Sequence, residues 1–175
     1  MHLSTVLQAV AAAATFAVPS LAVAQGAQVN FGEGQRDPDA PVEVVADQLD
    51  FDQDGGTAVF TGNVVITQGT LRLAGDKVDV VYGAGPTGEN RIERVDAAGS
   101  VTMFNGDEAA EAERAIYTVV SGVVVMTGDV LLTQGTNTIA GEQLTVNVDT
   151  GQGVMEGRVR VLFNQGPEDA GGASQ

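Results

Sequence analysis

The stretch DFDQDGG (50–56) sets carboxylates at Asp50, Asp52 and Asp54 on alternate positions and follows them with two glycines. Alternate oxygen ligands ahead of a sharp glycine turn open an EF-hand calcium loop. The closing half is missing. Position twelve is Thr61, where a bidentate Glu belongs, and both flanks alternate like strands. The other chemistry open to carboxylates is paired acid/base catalysis, as in a glycosidase, but nothing in the sequence marks such a pair.

The composition narrows the choice further. The chain of 175 residues has no cysteine, and its one histidine is His2. Beyond His2, in the N-terminal stretch, it therefore lacks thiolate nucleophiles, the usual general base and the usual transition-metal ligands, and we expect no enzyme, no metal site and no cofactor. A net charge of -15 with eight Lys and Arg opposes nucleic-acid binding, which draws on clustered cations.

Residues 6–18 (VLQAVAAAATFAV) have the length of a signal-peptide apolar core, and Ala22-Val23-Ala24 before Gln25 has the small-x-small form of a cleavage site. Export with cleavage near Ala24 is expected, although MHLST carries no Lys or Arg. Residues 25–40 and 166–175 are rich in Gly, Pro and polar side chains and read as disordered arms around one domain at 41–165.

That domain is internally repeated. FTGNVVITQGTLRLAGDKVDV, starting at Phe60, aligns without gaps on MTGDVLLTQGTNTIAGEQLTV, starting at Met126. A Gly-x-Val element recurs at Gly62-Val64, Gly99-Val101, Gly128-Val130 and Gly157-Val159. In the same phase runs acid-x-apolar-x-apolar: Asp47-Leu49-Phe51, Asp76-Val78-Val80, Glu113-Ala115-Tyr117 and Glu142-Leu144-Val146. The unit of about thirty residues is thus present four times. Period-two alternation between Gly, Asn and Asp clusters predicts strands throughout, near 47–52, 57–60, 63–67 and 70–74 in the first unit.

The repeat answers the calcium question. Positions equivalent to Asp50, Asp52 and Asp54 hold Asp79, Val81 and Gly83, then Ile116, Thr118 and Val120, then Thr145, Asn147 and Asp149. The triplet is a solvated strand and turn. Leu49 and Phe51, apolar in every unit, belong to an inner face with Val64, Ile66, Val78 and Val80. Such a face makes either an ordinary packed core or an open groove for acyl chains. The first strand, with Val42 and Val44, and the last, with Val159, Val161 and Phe163, are expected as free edges that pair copies head to tail. An exported filament or adhesin built of β repeats is the alternative reading.

Residues 41–82, PVEVVADQLDFDQDGGTAVFTGNVVITQGTLRLAGDKVDVVY, resemble the LptA (OstA-like) family of periplasmic lipopolysaccharide-transport proteins, and the resemblance runs over roughly 41–163. It implies an all-β fold, an open twisted jelly roll of about sixteen short antiparallel strands. It also implies a lipopolysaccharide-binding bridge in the periplasm, a head-to-tail homo-oligomer between inner-membrane-anchored LptC and outer-membrane LptD, with lipid A acyl chains in the groove. Carried over by position, it adds Val42, Val44, Met103 or Phe104, Tyr117 and Val119 to the groove.

Overall fold

The computed structural model describes residues 26–32, 40–85 and 88–163, and every regular element among them is a strand. The leader expected over 1–24 and the tail over 166–175 lie outside the described residues. Short β1 (Ala27–Asn30), β2 (Val42–Val45) and β3 (Gln48–Asp52) precede long β4 (Thr57–Gln68), β5 (Leu71–Ala84), β6 (Asn90–Asn105), β7 (Glu108–Thr118), β8 (Val123–Gln134) and β9 (Asn137–Asn147). β10 (Gln152–Glu156) and β11 (Arg160–Leu162) follow. All pairs are antiparallel, in the order β1-β10-β9-β8-β7-β6-β5-β4-β2, with β3 also on β4 and β11 also on β9.

The Gly-x-Val repeat folds this sheet in two. Register shifts fall between Thr61 and Val64 in β4, Ala98 and Val101 in β6, and Thr127 and Val130 in β8, each time giving the bulged strand one residue more than its neighbour. At these points Gly62-Asn63, Gly99-Ser100 and Gly128-Asp129 have positive φ at both residues, and Gly157-Arg158 does the same between β10 and β11. A bulge bends its strand and adds twist. Bulges aligned across neighbouring strands therefore bend the whole sheet along one line, the corner. On one side lie β2, paired with Val65–Gln68, and β11, paired with Thr138–Ala140. On the other lie β3, paired with Thr57–Thr61, and β10, paired with Gln143–Val146.

The repeated acids sit at the same corner. A Cβ on Gly62, Gly99, Gly128 or Gly157 would run into the side chain of Asp47, Asp76, Glu113 or Glu142 respectively. Asn63 Nδ2 donates to Asp47 Oδ2 (2.9 Å), and Arg158 Nε donates to Glu142 Oε1 (3.3 Å). The two sequence repeats are thus one structural device, a left-handed glycine that leaves room for an acid on the neighbouring segment.

Two expectations need correction. Among the described residues there are eleven strands, not about sixteen, because a long strand passes the corner without a break; 57–60 and 63–67 are both β4. And the segment 25–40 is not wholly an arm, since Ala27–Asn30 pairs with Gln152–Met155.

The face enclosed by the bend holds one apolar cluster, including Val64, Val78, Val101, Met126, Leu132, Leu144 and Met155, all essentially inaccessible. Alternation along the strands supplies it from both halves. Burial of this face is the main stabilising term.

Candidate functional site

The carboxylate stretch proves to be a turn. Asp52 Oδ1 accepts from the backbone N–H of Asp54 (3.1 Å) and of Gly55 (3.0 Å), and Gln48 Nε2 donates to Asp50 Oδ2 (2.9 Å). These bonds tie the acids to the β3–β4 hairpin. Among the described residues no group of three His, Cys, Asp or Glu is placed to hold a metal ion.

The remaining candidate is the space between the halves. Val64, Ile66, Val78, Val80, Met103 and Tyr117 are buried together in the apolar cluster, and Val44 and Val119 pack against it half-buried. Met103 is the inward residue of its pair, while Phe104 faces out. Val42, 38% exposed, stands at the rim of an apolar recess that it shares with Ile66, Leu71, Ile92, Tyr117 and Val119. The recess has about 20 Å³ of free space, roughly one water. The side chains around it leave this recess nearly filled.

Leu49 and Phe51 do not join it. They are 54% and 61% exposed, and all of β3 lies open. In register Leu49 pairs with half-buried Phe60 and Phe51 with buried Ala58. What they lack is a facing layer, because β3 is the outermost strand at its end of the sheet. The Phe51 ring instead meets Tyr82 edge-on, with centroids 6.4 Å apart.

The expected edges are sheet ends. Among the described residues β2 pairs only with β4 and β11 only with β9, so Val42 and Val44 lie at one end of a half-sheet and Val161 at the other. Val159 is half-buried against the core, whereas Val161 and Phe163 are exposed.

Sequence reasoning missed a contribution at the side opposite the corner. There the turns of one half (69–70, 106–107, 135–136) and of the other (119–122, 148–151) form two lips, and residues after β1 touch both. Phe31 N–H donates to Gly151 O (2.6 Å) on one lip, while on the other Gly32 N–H donates to Glu108 and Gln134 Nε2 donates to Asn30 O. Val29 and Phe31 point inward and are buried. The available signal was the alternation of Val29 and Phe31 between Gly26 and Gly32.

Known proteins share this sequence pattern and fold. A family model described as LptA/(LptD N-terminal domain) LPS transport protein matches residues 43–152. An uncharacterised protein of Rhizobium meliloti (strain 1021) is 31% identical over 164 residues, covering 89% of this chain and 88% of that protein. Lipopolysaccharide export system protein LptA of Escherichia coli (strain K12) is 35% identical over 115 residues, 62% of this chain and 60% of the relative's own length. Among solved structures, LptH of Pseudomonas aeruginosa, described as the LptA-homologous periplasmic component of the lipopolysaccharide transport device, superposes with a TM-score of 0.66. That match has 22% identity and covers 75% of this chain and all of that one.

Proposed function

The chain belongs to the LptA/(LptD N-terminal domain) family of LPS transport proteins, and from that membership we propose that it carries lipopolysaccharide across the periplasm with the lipid A acyl chains between the two half-sheets. The observation that carries the reading is the apolar interior between the half-sheets, bounded by a corner on one side and by two lips on the other. Acyl chains entering it gain roughly 0.8 kcal/mol per methylene removed from water, before the cost of ordering and of displacing side chains. Since the recess beside Tyr117 is nearly full, loading means parting the lips.

Charge supports the same division of labour. Lys77, Arg94 and Arg158 are engaged by Asp79, Asp96 and Glu142, so these cations are not gathered into a phosphate clamp. The binding energy in this reading comes from the acyl chains, and the phosphorylated head stays in solvent.

The leader at 1–24 is removed during export, 41–165 forms the working domain, and copies join head to tail through β2 at one end and β11 at the other. LptC at the inner membrane and LptD at the outer membrane are the partners at the two ends of that bridge. The protein is a carrier and not a catalyst, with the energy for transport supplied elsewhere.

Titration with a fluorescent fatty acid tests the central element. Saturable binding that Tyr117→Asp weakens at least about tenfold, with Asp52→Ala unchanged, is the expected result, because a carboxylate in the trough is expensive to keep dry. A folded protein that binds no acyl probe would leave the repeat-filament reading in its place.

A further inference from the structure

We propose that residues 26–32 are an intramolecular strap, which stands in for cargo at the mouth of the trough and must leave for acyl chains to enter. The proposal rests on the lipid-carrier reading above. Three observations carry it. First, the segment bridges the two lips, from Gly151 on one to Glu108 and Gln134 on the other, where the bent sheet is otherwise open. Second, it fills the interior: Phe31 is the largest fully buried side chain among the described residues, with Val29 buried two positions before it. These are the only buried apolar side chains that the segment contributes, and they occupy space of the kind an acyl chain needs.

Third, the strap is the natural piece to yield. The long strands are paired on both sides, whereas β1 pairs over four residues with β10 alone. Segments held by few bonds at a sheet margin open at a small fraction of the global unfolding free energy. With Val29 and Phe31 buried at this mouth, cargo entering there needs the segment to move, and beyond its four-residue pairing it is held by the bonds to Gly151, Glu108 and Gln134. Its departure would also uncover the outer edge of β10.

The absence of cysteine makes a lock simple to build. A Cβ on Gly32 would lie 3.2 Å from Asn105 Cβ, within a few tenths of an ångström of the disulfide range of about 3.5–4.5 Å. The exported chain carrying Gly32→Cys and Asn105→Cys is titrated with a fluorescent fatty acid, oxidised and then reduced, beside the unmodified chain and Phe31→Ala. Because apparent affinity scales with the fraction of open molecules, the oxidised form should bind at least about tenfold more weakly than the same protein reduced, and Phe31→Ala should bind more tightly than the unmodified chain. Equal binding by oxidised and reduced forms, with the disulfide verified, overturns the strap and leaves the carrier reading intact. If no form binds the probe, the carrier reading fails and the strap falls with it.

Discussion

At residue scale, the corner is decided by a few glycines whose left-handed backbone faces an acid. Gly128, at φ 86°, would place a Cβ 2.6 Å from Glu113 Oε2 and 2.8 Å from Glu113 Cβ, while Gly106, at φ 62°, has open space around it. Gly106→Ala is expected to cost about 1 kcal/mol, the backbone penalty alone. Gly128→Ala adds the collision and should cost about 3 kcal/mol. Urea unfolding of the two variants measures the difference; equal costs would mean that the acid moves aside freely. The repeat was legible, because a backbone requirement met four times leaves the same letters in four places, but the bend that it makes was not. The burial of Leu49 and Phe51 was not, since alternation reports which way a side chain points and not whether another layer covers it.

At the scale of elements, the proposed head-to-tail assembly rests on the strands at the sheet ends. β11 exposes Val161 on a strand bonded on one side only, and such an edge accepts another strand. Val161→Lys should therefore weaken self-association by about tenfold or more while leaving the thermal midpoint nearly unchanged. Sedimentation over a range of concentrations checks it, and an unaltered distribution would place the contact elsewhere. The two end strands β2 and β11 were readable from their alternation. The strand β1 was not: AQVNF is short, lies among glycines, and finds its partner at Gln152–Met155, the far end of the chain. Strand length escaped for a related reason, because a bulge and a turn share the same glycine-rich signature.

At the scale of the molecule, a bent sheet encloses an apolar interior that is closed at rest and bounded by a corner, two lips and two sheet ends. Family membership supports lipopolysaccharide as the cargo, and the net charge of -15 points to the acyl chains as the part that is held. Photo-crosslinking in living cells tests that claim most directly, with p-benzoylphenylalanine in place of Tyr117 in the trough and, in a second protein, in place of Asp52 on the solvated hairpin. The account predicts lipopolysaccharide adducts from position 117 and none from position 52. Adducts at neither position in a folded, exported protein, or equal adducts at both, would contradict it.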